Sequence, residues 1–514
     1  LKNMKKTSLF IFLLIAGLTV TPWLQSCTDL NEVVYDKVST TDFGNTPKEI
    51  ASLVSPIYNS LRTARGWNFT HLGEESADMM VVPTRKGGDW WDGGQHMYTK
   101  QHTWTNNNTP LITGAYSDIQ SSITTCNRIL KMVQDKAGVP NKDQTIAEIR
   151  AVRAFWYYMY VDYFGQGPLV TDYADTSLPI PKTRVEIYTF VMSELTAVKD
   201  LLRSDVTGDS YGKMTKGAAY SILAKMYLNA MVWNPAGGAQ WQKCIDACNV
   251  VIGLPYVLEA DWKKSFQVKN EDSKEIILPA VFSGSLGGNF LANATLHYLD
   301  SKALGLNIGP WNGMSADPNY VKAYDPDDKR LNWSFLRGPM LDPVTGVVIM
   351  TAHGRSLIHT DDITMYEATT NWGWCNQEDG ARCWKWEIPK GLSSDMENDF
   401  AIFRLADIYL MKAECLVRIA GAPVAEATTL VNAIRKRAFI PEKPKTAATL
   451  EDIRLERRFE LAWEQYARQD NIRFGTFLNA VPGWRGVSDP KHLLFPIPKD
   501  AMDVNSKLVQ NPGY

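Results

Sequence analysis

The residues with the types and spacing to do chemistry fall into acidic rows, scattered imidazoles and aromatic clusters. Glu456, Glu460, Glu464 and Arg468 recur every four residues, the spacing of one helix face. Glu460 and Glu464 could be posed as the acid and base of a glycosidase. Such a pair, however, faces across its substrate from separate elements, about 5–9 Å apart. A row interspersed with Arg454, Arg457 and Arg458 is instead the pattern of an ion-pair face on the surface. Arg150 and Arg153, near Glu148, read the same way, as ion pairs between packed helices. The seven His are scattered, and no two have the i,i+4 spacing of a zinc helix. Asp325, Asp327 and Asp328 lack the spacing, Gly and final Glu of a calcium loop and read as an Asp-stabilised turn. No nucleophile elbow, phosphate-cradling loop or dinucleotide fingerprint occurs. The expectation is no catalysis, no cofactor and no metal.

The aromatic residues point elsewhere. The chain holds 17 Trp and 21 Tyr, many in Gly-, Asn- and Pro-rich stretches. A pyranose ring has an apolar C–H face bordered by hydroxyls; an exposed indole or phenol covers the face while Asn, Asp, Gln or Arg bonds the edge. GGDWWDGGQHMY places Trp90 and Trp91 between glycine pairs, with Asp89 and Asp92 beside them. Trp311 and Asn312 share GPWNGM, and Trp372 and Trp374 share TNWGWCN. The candidate ligand contacts are Trp90, Trp91, Asp92, Trp311, Asn312 and Trp372. For any one of these rings the competing reading is a satellite core that closes the loop onto its scaffold. As a group they are expected to leave at least two rings exposed.

The elements that must carry these loops are helices. Tyr116, Ile119, Ile123, Cys126, Leu130 and Val133 are three and four apart, as are Ile149, Val152, Trp156, Met159 and Tyr163. The pattern returns at Trp241–Val251 and Phe403–Val417, and the Ala-rich stretch 217–230 permits close helix approach. No clean 34-residue repeat is present. The blocks 66–107 and 254–396 interrupt the helices, and irregular segments of such length are usually functional. Short strands are expected at Ile276–Phe282 and Trp384–Ile388. The fold class is mainly α, a helical scaffold over about 47–65, 108–253 and 397–476, with ligand loops at about 66–107 and 254–396.

The N-terminus bears on location. Lys2, Lys5 and Lys6 precede an apolar run from Leu9 to Val20, followed by Leu24-Gln25-Ser26-Cys27, the layout of an export signal. The run is too short to span a bilayer. The Cys after a small residue resembles a bacterial lipobox, so residues 1–26 are expected to be removed, Cys27 lipidated, and 27–46 to form a tether. The other six Cys form no obvious disulfide framework. Cys375 and Cys383, flanked by WGWC and CWKW, suggest a hairpin that an oxidising compartment could staple, although sequence alone leaves the pairing open. With 54 basic and 56 acidic residues the chain lacks the basic excess of a nucleic-acid binder. At 45% hydrophobic and 21% charged, it has the composition of a large globular protein.

Several segments together resemble the SusD/RagB-like outer-membrane lipoproteins of Bacteroidetes: AEIRAVRAFWYYMYVDYFGQGPLV from Ala147, GKMTKGAAYSILAKMYL from Gly212, YDPDDKR from Tyr324, FRLADIYLMKAE from Phe403, VNAIRKRA from Val431, IRLERRFELAWEQYARQDNIRF from Ile453, LFPIPKDAM from Leu494 and the terminal QNPGY. Gln465 and Asn471-Ile472-Arg473 depart from the usual pattern of the Glu-Arg-rich segment. The resemblance implies a single SusD-like domain over 47–514 with tetratricopeptide-like helix pairs, and a non-enzymatic, lipid-anchored protein exposed on the outer membrane. It further implies capture of oligo- or polysaccharide and its delivery to a SusC-like TonB-dependent transporter. The family's ligand contacts fall in the two loop regions, which raises Trp90, Trp91 and Trp311 above the rest. A peptide-capture subunit of the RagB kind and a helical-repeat adaptor without a ligand are the alternatives.

Overall fold

The computed structural model describes residues 44–285, 287–366 and 373–514. The expectations for the export signal, Cys27, most of the tether and Trp372 lie outside the described residues.

The scaffold comprises α1 (Pro47–Thr63), α2 (Pro110–Asp135), α3 (Lys142–Tyr163), α4 (Arg184–Val198), α5 (Lys216–Leu228), α6 (Trp241–Ile252), α7 (Leu405–Ala420), α8 (Ala425–Ala438) and α9 (Leu450–Glu460). Thr46 and Glu49 form a capping box ahead of α1, where Pro47 occupies a first-turn position that needs no N–H donor. Ile50, Val54, Ile57 and Leu61 then bury one face, each contributing about 1.5–3 kcal/mol by leaving water. Neighbouring helices pack in a chain, α2 on α3, α3 on α4, α5 on α6, α6 on α7 and α7 on both α8 and α9. This is a helical, tetratricopeptide-like arrangement. The α2 seam from Tyr116 to Val133 is buried as its spacing requires. Close approach at the start of α5 uses Gly217, where a Cβ would stand 2.6 Å from the Tyr256 ring.

Helix α3 differs from its expected one-sided pattern. Residues 151–163 are buried without exception, because α2 and α4 flank the helix and the C-terminal segment closes over its end. There the Phe495 N–H donates to the Tyr163 carbonyl at 2.9 Å, and Asn511 donates its amide to the carbonyls of Phe164 and Phe495.

The acidic row also departs from its expected surface setting. Helix α9 ends at Glu460, and Glu464 sits in the turn before the helix Ala467–Arg473. Both carboxylates are buried in an ion network with Arg404, and Arg437, Arg330 and Lys385 complete it. Burial raises the Glu460 pKa, but Arg437, Arg404 and Arg330 outweigh that and hold it far below the carboxylate range. Arg150 and Arg153 both pair with Glu194 of α4, joining α3 to α4. Glu148 instead accepts from the Tyr58 hydroxyl at 2.6 Å.

Two strands, Ile276–Ala280 and Phe400–Arg404, pair antiparallel with a register shift. The long insertion therefore leaves and re-enters the scaffold at one place. The expected strand at Trp384–Ile388 is absent; the pairing lies just before it, where Arg382–Cys383 meets Phe335–Leu336. Nor do Cys375 and Cys383 face each other across a hairpin. Cys375 bridges to Arg85, Cys383 pairs with Phe335, and both are buried free thiols. The insertions contain short helices, among them Trp67–Thr70, Gln95–Gln101, Leu291–Thr295 and Asp300–Leu304. No helix of the described residues is long and apolar enough to cross a membrane.

Candidate ligand-binding site

The 84–94 loop is positioned by Arg85, whose side chain is buried. Its guanidinium donates to the carbonyls of Asn312 at 3.1 Å, Gly313 at 3.2 Å, Asn376 at 3.3 Å and Asp379 at 2.7 Å, and to Ser315 Oγ at 2.8 Å. One cation thus ties together segments 84–94, 311–315 and 375–379, which are far apart in sequence. Its neighbours Thr84 and Lys86 add backbone bonds to Cys375.

On this clamp stands an aromatic surface. Trp90 is half-buried and stacks on Trp67 with centroids 5.8 Å apart at 22°. Its Nε1–H donates to the Trp311 carbonyl at 2.6 Å. Gly313 lies under the ring, where a Cβ would stand 2.5 Å from Trp90 Cζ2. Trp91 and Trp311 are 36% and 42% exposed, enough to offer ring area to a ligand. Tyr298, equally exposed, donates its hydroxyl to Asp89 Oδ2 at 2.8 Å. Burial and the Asp89 carboxylate push its pKa up to about 12, so it remains a neutral hydroxyl. Gln377 donates to the same Asp89 oxygen at 3.1 Å. At the flank, Trp374 stacks on exposed Tyr366 at 4.8 Å, and Lys86 lies 5.5 Å from the Trp374 ring.

The backbone here is strained. Trp90, Asp92 and Asn312 have φ of 64°, 41° and 60°. Left-handed non-glycine residues are costly and concentrate at functional sites.

Of the six expected contacts, Trp91, Asp92 and Trp311 are exposed on this surface and Trp90 forms its floor. Asn312 is not available to a ligand. It is fully buried, its amide donating to Gln377 Oε1 at 2.6 Å and to the Gln377 carbonyl at 3.0 Å. The left-handed turn that presents Trp311 points its neighbour inward. Sequence reasoning missed Tyr298, Arg85 and Trp67. An Arg two residues before a Gly pair and Trp-bearing loop was a signal for the clamp, whereas Tyr298 in TLHYLD carried none.

Beneath the floor lies a second group that the search for His–His spacing passed over. His71 and Glu75 are i,i+4 on a π-turn, and His96 comes from the helix Gln95–Gln101. All three are buried side by side.

The profile described as the SusD family matches residues 274–514, and one described as starch-binding and associating with the outer membrane matches 33–228. The Starch-binding protein SusD of Bacteroides thetaiotaomicron is 26% identical over 423 residues, covering 72% of each chain. A SusD superfamily protein from Parabacteroides distasonis superposes with TM-score 0.74 at 19% identity, covering 91% of this chain and 99% of that one. Surface glycan-binding protein A from Bacteroides thetaiotaomicron, solved with laminarihexaose, gives TM-score 0.73 at 19% identity, covering 90% of this chain and 99% of the other. Two profiles that divide the chain between them, agreeing with the ordered motifs and with the helical fold, show that the chain belongs to the SusD/RagB-like family.

Proposed function

We propose that the chain is a surface glycan-capture protein of polysaccharide utilisation, which holds oligo- or polysaccharide on the Trp91–Trp311–Tyr298 surface. The observation that carries this reading is the pair of exposed indoles held on a strained, Arg85-clamped frame. Trp91 and Trp311 would cover pyranose faces, while Asp92 and the Tyr298 hydroxyl bond ring edges. Trp90 would act as floor and Asn312 as an internal brace. Trp372 belongs to the same segment as Trp374 and is retained as a candidate contact. One relative is starch-binding and another was solved in complex with laminarihexaose, which supports a glucan-like ligand for this chain.

Capture requires no chemistry. The acidic row is consumed in a buried ion network, which supports a non-catalytic reading. Family membership supports lipidation at Cys27, display on the outer membrane, and delivery of the ligand to a SusC-like TonB-dependent transporter. Affinity is expected to be about micromolar or weaker, because captured ligand must be released.

Calorimetry of residues 28–514 against neutral glucans, other glycans and mixed peptides tests the proposal. Heat with a glycan class that disappears in Trp91→Ala/Trp311→Ala is the expected result. Heat with peptides alone would move the chain to the peptide-capture branch.

A further inference from the structure

Glu75 Oε2 stands 2.8 Å from His71 Nδ1 and 3.1 Å from His96 Nδ1. All three side chains are wholly buried, and the candidate ligating atoms lie within 4.8 Å of one another. We propose that His71, Glu75 and His96 form a binding site for a divalent transition-metal ion of the zinc type, held by the two Nδ1 atoms and Glu75 Oε2.

The donor set decides the class of ion. Two imidazoles and one carboxylate suit zinc, cobalt, nickel or copper, whereas calcium and magnesium require more oxygen. Tetrahedral ligands about 2.0–2.1 Å from a zinc ion are separated by about 3.3 Å. The two measured separations need to widen only slightly to admit the ion. On its entry a neutral ring shifts its Nδ1 proton to Nε2 and a protonated ring releases its Nδ1 proton to solvent, so that each coordinates through Nδ1 and carries an Nε2–H.

The outer contacts fit as well. Across the His96 ring, Nε2 faces Asp92 Oδ2 at 3.6 Å, the place where a ligating imidazole usually finds a carboxylate that fixes its tautomer. The second Glu75 oxygen accepts from the Val82 N–H at 3.2 Å, which fixes the carboxylate. His71 lies in a π-turn, a feature that recurs at functional sites.

The ion would join the two segments under the aromatic floor. Trp67 lies 4.3 Å from the His71 ring and Trp90 lies 5.8 Å from the His96 ring. A metal at Glu75 therefore ties the Trp67 segment to the Trp90 loop without touching a ligand on the surface.

The test uses tag-free protein stripped with a chelator and titrated with Zn2+ and Co2+, with no saccharide present. Expected are one ion per chain by calorimetry, a raised melting temperature, and Co2+ visible bands of a nitrogen–oxygen site. Glu75→Gln and His96→Gln should abolish saturable binding. Asp92→Asn, at an exposed position, should weaken it about 10- to 100-fold and carries the test if the buried variants fail to fold. His353→Gln, exposed and remote in sequence, should bind as the parent does. Absence of saturable binding by the folded, stripped parent would overturn the proposal, leaving a closed His–Glu hydrogen-bonded trio. Binding unchanged in both Glu75→Gln and Asp92→Asn would overturn it too.

Discussion

Trp90 donates its indole N–H to the carbonyl oxygen of Trp311 at 2.6 Å. The two loops that present the aromatic surface are thus bonded directly to each other, through the side chain of one and the backbone of the other. Trp90 serves the site mainly by fixing where Trp311 stands.

Trp90→Phe separates this role from ring contact. The phenyl ring can still lie on Trp67, but the Trp311 carbonyl loses its donor. A hydrogen bond of this kind contributes about 1 kcal/mol net, so glycan affinity should fall about fivefold. Calorimetry against the responsive glycan checks this, and a fall as deep as that of Trp311→Ala would mean that Trp90 itself contacts the ligand.

Trp91→Ala and Trp311→Ala remove rings that are already partly in water. Each should cost about 1–3 kcal/mol of binding, roughly 5- to 150-fold, by analogy with stacking on flat ligands. Melting temperature should move by only a few degrees, because in a chain of this size each kcal/mol is divided by a large unfolding entropy. A collapsed melting transition would place these rings in the core.

Arg85→Met should do the opposite, weakening both fold and binding. Five acceptors lose a charged donor inside the protein, and a buried acceptor left unpaired costs about 1–3 kcal/mol. Thermal unfolding should show the loss without any ligand. Arg85→Lys should rescue little, since a single ammonium cannot reach five acceptors on two separate segments in the fork geometry of a guanidinium.

The contrast between these residues shows what the sequence made legible. Periodicity found the α2 seam because one side of that helix is apolar. It misread α3, whose buried surroundings accept Tyr, Arg and Asp alongside apolar residues through hydrogen bonds such as that of Arg153 to Asn127. Exposed Trp91 and Trp311 were found from composition, since Gly pairs and Asp beside a Trp mark a loop. Asn312 was misplaced because a single left-handed residue decides which way a side chain points, and adjacency does not report it. The Glu460 row was recognised as ionic but assigned to the surface, since charge spacing is the same on a solvated face and in a buried network. His71, Glu75 and His96 escaped because the i,i+4 pair is a His and a Glu, not two His, and the second imidazole arrives through tertiary contact.

The cysteines offer a chemical check. Cys126, Cys244, Cys248, Cys375, Cys383 and Cys415 are all free and buried. Alkylation after denaturation without reductant should label all six, as read by intact mass, while the native protein reacts slowly. Four labels on the denatured chain, with Cys375 and Cys383 protected, would restore the disulfide that the flanking Trp pattern suggested.

The buried ion network fixes the acid limb of stability. Burial raises the Glu460 and Asp470 pKa values, yet Arg437, Arg404 and Arg330 around the first, and Arg457, Arg473 and Lys225 around the second, outweigh it and lower both strongly. A carboxylate whose folded pKa lies below its unfolded value contributes stability in full above the unfolded pKa, about 4, and loses it as pH falls toward the folded value. The contribution of these two carboxylates should therefore be intact down to about pH 5 and be lost below about 4. Glu460→Gln should destabilise by about 3–5 kcal/mol at neutral pH, because Arg404, Arg437 and Arg330 are left incompletely paired. The gap between parent and variant should narrow as pH falls below about 4, where the unfolded parent takes up the proton that the folded one refuses. Denaturant unfolding of both chains at pH 7 and pH 3.5 measures it, and a gap of constant size would show that Glu460 matters for its shape and not for its charge.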